Sequence, residues 1–283
     1  MDQNITIYEP NQRKKIGFLM LYIVMFKNII KSRELMWQLF KRDFLMSYKK
    51  SFFGFSWIFV SPIIGIISWV FMNFTGILNP GDVGIPYPAY VLISSSIWGL
   101  FMGFYEAASS TLSAGSGFIM QVKYPHEVLL IKQTAQHLAN FFLGFLINII
   151  VIIAFGVIPS WKIVFFPFVI LPLFLLGAGI GLIISVINIV AIDFSALFNI
   201  LFGLLFYITP VIYSSKTENK LLATVIKYNP LTYLIGNARD MIIYGQFNNI
   251  SYFAYSSLFA LFIFLISWRL FYISEEKAIE KMI

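Results

Sequence analysis

The titratable residues of this chain are few and scattered, which limits the chemistry it can perform. Histidine occurs twice, at His126 and His137, and a spacing of eleven fits no metal-binding motif, so both read as polar, solvated residues. Cysteine is absent, so there is no disulfide framework and no thiolate metal site. A transferase on lipid-linked sugars would need clustered acids or a histidine base at a membrane face, whereas the thirteen Asp and Glu are dispersed. No G-x-x-x-x-G-K-[ST] phosphate loop occurs, so the chain is not expected to hydrolyse ATP alone or to bind a cofactor or metal. One acid stands apart. Glu106, in "FMGFYEAASS", falls in an apolar run, where an ionisable group marks a candidate pathway residue. The competing reading is a hydrated carboxylate near the end of its span. The aromatics Trp57, Trp69, Trp98, Phe101, Phe104 and Tyr105 offer flat faces for the apolar sides of sugar rings. Such contacts are weak and tolerate many sugar sequences. Lipid contact or core packing is the alternative for each.

These residues sit in an unusually apolar chain. Of 283 residues, 59% are hydrophobic and 12% charged, against about 25% charged in a soluble domain. Mean hydropathy is +0.82. So few charges cannot cover a globular surface, and the fold class is an all-α integral membrane protein. The opening "MDQNITIYEPNQRKK" lacks the apolar core of a signal peptide, so insertion through the chain's own spans is expected. No feature points to nucleic acid.

A bilayer span needs roughly 20 apolar residues. Six stretches qualify: 52–78, 89–112, 137–158, 163–190, 194–213 and 251–273. The run 16–26 is shorter and flanked by Lys14, Lys15, Lys27 and Lys31, which suits the interface, with a seventh span as the alternative. Ten Lys/Arg precede residue 53, Lys123 and Lys132 follow span two, and three more lie from Arg269 onward. The opposite side receives five: Lys162, Lys216, Lys220, Lys227 and Arg239. The positive-inside rule therefore places both termini in the cytoplasm. The chain reads as one transmembrane domain, 1–283. It comprises an interfacial region (1–51), a six-span bundle (52–273) and a cytoplasmic tail (274–283).

Residues 33–50, "RELMWQLFKRDFLMSYKK", predict an amphipathic helix lying in the membrane surface. Met36, Phe40, Phe44 and Tyr48 recur every four residues, beside Leu35 and Leu39, while Gln38, Lys41, Arg42 and Lys49 take other angles. Gly54 gives a flexible lead into span one. Pro62 within that span is tolerable if neighbours or water satisfy the freed carbonyl. In "GAGIG", 177–181, small residues inside a span read as a close helix approach. After Asn229-Pro230, Leu231, Leu234, Ile235, Ala238, Met241 and Ile242 recur at helical spacing, predicting two short helices in the outer segment 214–250.

At this point the motifs become specific. The run Trp37, Leu39, Arg42, Asp43, Tyr48, Ser51, Gly54, Trp57 and Pro62 resembles the W-x-L-x-x-R-D-x-x-x-x-Y-x-x-S-x-x-G-x-x-W-x-x-x-x-P segment of type 2 ABC exporter permeases. The nearest likeness is to those handling O-antigen, capsule polysaccharide or teichoic acid. "VKYPHEVLL" (122–130), "FYITPVIY" (206–213) and "YNPLTYLIGNARDMIIYG" (228–245) follow in the family's order. Departures are Ser47 where the family often has Arg, His126 in place of Arg, and Ile192 before Asp193.

The resemblance implies that Lys123, Tyr124, Pro125, His126 and Glu127 belong to a cytoplasmic coupling helix that transmits ATPase motion. Pro125 suits a first helical turn and Glu127 the positive helix end. It also implies that Trp37, Arg42, Asp43 and Tyr48 mark the interface helix, and Asn229, Pro230, Leu231 and Tyr233 an outer gate. Partners would be two ABC ATPase subunits carrying ATP and Mg, a second copy of this chain, membrane lipids and an undecaprenyl-linked polysaccharide. The location would be the bacterial cytoplasmic membrane. Other readings left open are an exporter of a drug or small lipid, a membrane-embedded transferase and a structural anchor.

Overall fold

The computed structural model describes residues 17–49, 54–112, 126–188, 191 and 193–282, and no strand occurs among them. The helices are α1 (Phe18–Lys31), α2 (Arg33–Lys49), α3 (Trp57–Phe74), α4 (Tyr87–Ser109) and α5 (His126–Ala154). A 3-10 turn at Trp161–Phe165 leads into α6 (Phe166–Val169) and α7 (Leu171–Ile187). Then come α8 (Asp193–Ile208), α9 (Lys220–Tyr228), α10 (Pro230–Ile243) and α11 (Ile250–Met282).

Among the described residues, four segments are long and apolar enough to cross a bilayer: Tyr87–Ser109, Glu127–Ala154, Trp161–Ile187 and Ile250–Ser274. Two of the expected spans are shorter apolar helices, Val60–Phe74 and Asp193–Ile208. The sixteen residues of α8 reach roughly 24 Å at 1.5 Å per residue, against a hydrocarbon core of about 30 Å. The run 16–26 falls in α1, whose fourteen residues reach about 21 Å. α1 is strapped along α11. Leu21 and Met25 are buried with Phe271 and Tyr272, and the Tyr22 hydroxyl donates to the Leu265 carbonyl at 2.9 Å.

Two expected boundaries shift. The third long helix starts at His126, eleven residues before the apolar run. Residues 126–136 extend the helix ahead of the expected span, and Val128 and Leu129 pack beneath Leu39, Leu35 and Met36 of α2. The tail from residue 274 is helical through Met282, as a continuation of α11.

α4 lies at the centre. Val91, Leu92, Ile93, Ile97, Leu100, Phe101, Phe104 and Tyr105 are buried around its circumference, as befits a helix apolar on every side. The glycines of α7 allow backbones to meet. A Cβ on Gly177 would lie 2.9 Å from the Phe101 carbonyl oxygen. One on Gly181 would overlap the Tyr105 carbonyl, and one on Gly179 would press 3.1 Å from the Phe264 backbone of α11. The expected close approach is therefore made on two faces. α3 continues through Pro62, which leaves the Ile58 carbonyl without its in-helix donor. One residue earlier, the Ser61 hydroxyl donates to the Trp57 carbonyl at 2.8 Å.

The loops sort into two ends. At one end, Ser214 N–H donates to the Pro80 carbonyl and Ser160 N–H to the Ile242 carbonyl, joining the links after α3, α5, α8 and α10. At the other, Leu112 N–H donates to the Ser185 hydroxyl, and α1 and α2 meet the start of α5. Apolar helices thus run alternately between the end that carries α9 and α10 and an N-terminal end.

Candidate functional site

The end that carries α9 and α10 is organised by Asn229. Its backbone N–H closes α9 on the Val225 carbonyl, and its Oδ1 accepts the Leu231 N–H at 3.0 Å to start α10. Its Nδ2 donates to Thr209 Oγ1 at 2.8 Å, beyond the end of α8. Pro230 follows at the first helical position, where its missing N–H costs nothing. Leu231, Leu234, Ile235, Ala238, Met241 and Ile242 are all buried. The expected helical stripe is real, and it faces the core of the protein. Tyr233 donates to the Lys227 carbonyl at 2.9 Å and stacks on Tyr252, with centroids 4.9 Å apart. Burial, with Tyr252 alongside, pushes its phenol above the ordinary range.

Beside this cap sits an arginine counted at first only as an outer cation. Arg239 is 12% exposed. Its Nη1 donates to the Tyr90 hydroxyl of α4 at 2.8 Å, and its guanidinium lies 4.5 Å from the Tyr90 ring centre. Its Nε donates to Asp240 Oδ1 at 3.2 Å. The Tyr90 hydroxyl in turn reaches the Pro210 and Tyr213 carbonyls at 3.1 and 2.8 Å. A buried charge persists when paired and hydrogen-bonded, and this one ties α4, α10 and the end of α8 together.

At the N-terminal end, Lys123, Tyr124 and Pro125 lie outside the described residues, and His126 is described in its backbone only. Glu127 is fully buried in the first turn of α5, where Asn28 Nδ2 donates to its Oε1 at 2.7 Å. Helix-terminal charge favours a carboxylate there. Glu127 therefore holds α1 against α5. Asp43 pairs with Arg42 at 2.8 Å and with Lys132 of α5. Burial opposes ionisation, but hydrogen bonds from Arg42 and Lys132 prevail and hold the Asp43 carboxyl below its usual range. Trp37 is exposed, stacks on Phe40 at 5.3 Å and carries Lys41 over its ring. The Tyr48 side chain is outside the described residues.

The expected aromatic platforms divide. Phe101 and Tyr105 are 0% and 1% exposed and Trp98 is 9% exposed. Phe202 of α8 meets Phe101 and Tyr105 edge-on. These three rings are core and present no open face, because α8 covers that side of α4. Phe104 is likewise enclosed, against Phe174. Trp57 is exposed on α3. Trp69 is half-buried and packs on Phe206 and Tyr207 of α8 at 5.9 and 6.2 Å. Tyr207 is 57% exposed, so an aromatic face bridges α3 and α8. Its α8 members lie at the start of the 206–213 motif and are missed when aromatics are sought before span three alone.

Glu106 is exposed in the last turn of α4, and hydroxyls of Ser109 and Ser110 donate to its carbonyl. That position fits a hydrated carboxylate at a helix end. His137, read as solvated, is half-buried. Its ring occupies the space that a side chain on Gly103 would need and meets Phe104 edge-on at 5.7 Å. Among the described residues no group of His, Asp and Glu could hold a metal ion.

The sequence model of the family described as ABC-2 type transporter matches residues 34–243. The O-antigen export system permease protein RfbA of Myxococcus xanthus is 26% identical over 211 residues, covering 74% of this chain and 80% of its own. A protein of the same name from Klebsiella pneumoniae is 25% identical over 213 residues, covering 73% of this chain and 79% of its own. A second from Klebsiella pneumoniae is 26% identical over 216 residues, with the same coverage.

Proposed function

The chain belongs to the ABC-2 type transporter family and is the permease subunit of a type 2 ABC exporter; from that premise we propose that it moves a lipid-linked polysaccharide of the O-antigen class across the bacterial cytoplasmic membrane. The observation that carries the substrate is the set of three O-antigen export permeases similar over about three quarters of this chain. Two copies meet across the open faces of α3 and α8 and enclose a conduit. Trp69, Phe206 and Tyr207 give it a weakly binding aromatic wall. Charge is scarce on these faces, as suits a neutral polymer, since a cation or acid in mid-membrane costs about 2.5–3.5 kcal/mol on insertion scales.

Two ATPase subunits, holding ATP and Mg, dock from the cytoplasm against the segment that carries Lys123, Tyr124, Pro125 and His126. Glu127, anchored on Asn28, passes their motion to α1 and α5. The six apolar helices cross the membrane with both termini cytoplasmic, so Asn229, Pro230, Leu231 and Tyr233 stand at the outer mouth as its gate.

The test is deletion of the gene and return of the intact chain. Loss of surface polysaccharide, with lipid-linked glycan accumulating on the cytoplasmic side, is the expected result. Intact surface polysaccharide with new sensitivity to an amphiphilic compound contradicts it and makes the chain a drug or small-lipid exporter.

A further inference from the structure

A polar cavity of about 220 Å³ opens between α9, α10 and the link to α11. Its wall includes Thr232, Tyr233, Arg239, Asp240, Asn248 and Asn249. Thr232 is 8% exposed, and its Oγ1 has no hydrogen-bond partner among the described residues. A buried hydroxyl in that state normally answers to a ligand or water. Arg239 spends Nε on Asp240 and Nη1 on Tyr90. Its Nη2 points toward Gly236, 3.8 Å from where a Cβ would stand, and Gly236 also lines the cavity. The rim residues Asn248 and Asn249 are exposed, with side-chain amides that both donate and accept. Tyr233 also walls a neighbouring groove of about 250 Å³, lined with Tyr228, Tyr252 and Tyr255.

We propose that this cavity is a glycan subsite: one sugar ring of the exported polymer sits among Thr232, Arg239, Asp240, Asn248 and Asn249, and the adjoining ring lies on the tyrosine strip. This inference rests on the polysaccharide reading above. The donor set selects the ligand class. Sugar hydroxyls each donate and accept, and the wall offers donors from Arg239, an acceptor in Asp240, and dual groups in Thr232 and the two asparagines. A phosphate would confront the Asp240 carboxylate, which already neutralises Arg239 at 3.2 Å. An acyl chain would strand these polar groups. The tyrosines supply the apolar face that pyranose rings prefer. A subsite at the outer mouth would hold each emerging unit briefly and oppose its return.

The test uses the full-length permease in lipid nanodiscs. The probe is an oligosaccharide of one to three repeat units cut from the producing cell's own surface polysaccharide, with maltotriose as control. Saturation-transfer NMR should show weak binding of the native oligosaccharide. Thr232→Val, which keeps the side-chain shape, and Asn248→Ala, on the exposed rim, should each weaken it at least fivefold. Absence of binding to the unsubstituted chain, or binding unchanged in both variants, overturns the subsite. If gene deletion still abolishes surface polysaccharide in that case, the subsite alone has failed. If deletion leaves surface polysaccharide intact, the export reading has failed as well.

Discussion

α7 and α8 follow one another in sequence, and both are apolar and contain glycine, yet they are held in opposite ways. α7 is wedged between α4 and α11, and each of Gly177, Gly179 and Gly181 stands where a Cβ would strike a neighbour. In α8 a Cβ on Gly203 would meet nothing within 4 Å. Phe202 is its one buried residue, while Leu197, Ile200, Leu201, Leu204 and Tyr207 are exposed. An apolar groove of about 470 Å³, lined by Ile180, Phe198, Phe202 and Phe259, separates α8 from α7 and α11. α3 repeats the pattern, with Ile63, Ile64, Ile67 and Phe71 exposed. The difference teaches that glycine marks close packing only where a neighbouring backbone fills the space. One part of the protomer is a fixed block, and the other offers an unfilled apolar face.

The largest effect should come from breaking the block. Gly181→Leu forces a side chain into the Tyr105 carbonyl and Ala108. Overpacking of a core costs about 1–3 kcal/mol, and more when backbone is struck. Little folded protein should remain in the membrane fraction. Gly203→Ala in α8 should instead stabilise the protomer, by up to about 1 kcal/mol from helix propensity. Equal losses from both substitutions, measured by thermal unfolding in detergent, would erase the distinction.

A smaller effect tests the end that carries α9 and α10, which joins block to open face through Asn229. Asn229→Ala removes the cap on Leu231 N–H and the donor to Thr209. Loss of such a cap costs about 0.5–2 kcal/mol. Hydrogen exchange should rise at the start of α10 and beyond the end of α8, with the α4–α7 contact unaffected. Exchange confined to α10 would show that Asn229 does not couple the two.

The smallest effect concerns the attachment of α2. The folded carboxyl of Asp43 is held below its usual range, so its contribution is fully present above the unfolded value, near 3.9 for a free aspartate. It is lost as pH falls through the lowered folded value. Lowering the pH to 5 should therefore leave α2 docked, and only stronger acid should loosen it. Asp43→Asn should cost about 0.2–1 kcal/mol, the range for a partly exposed pair, and should flatten that acid-range dependence. An unchanged acid limb would remove the Lys132 pair from the account.

The parts of this fold legible in sequence are those governed by local spacing. The α10 stripe, the Asn229-Pro230 junction and the glycine run of α7 each need only a few neighbouring residues to be read. Arg239 and Tyr90 lie 149 positions apart, and no periodicity links them. Aromatic type alone cannot say which neighbour a ring meets, so Trp98, Phe101 and Tyr105 read as conduit wall although α8 covers them. The early start of α5 was hidden because residues 126–136 mix the apolar run 128–131 with Glu127, Lys132, Gln133, Thr134 and Gln136. Their helix is held by contacts with α2, a helix distant in the chain. His137 misled for the same reason, since its solvation depended on a glycine across the interface.

The central claim is that the open face of α8 receives a second copy of the chain. The sequence has no cysteine, so single substitutions report cleanly. Ile200 and Leu204 are 65% and 58% exposed on α8, and Ile150 is 66% exposed on α5. A short bis-maleimide linker applied to native membranes should yield covalent dimers from Ile200→Cys or Leu204→Cys and only monomer from Ile150→Cys. Dimers from Ile150→Cys alone, or equal cross-linking from both helices, would contradict it.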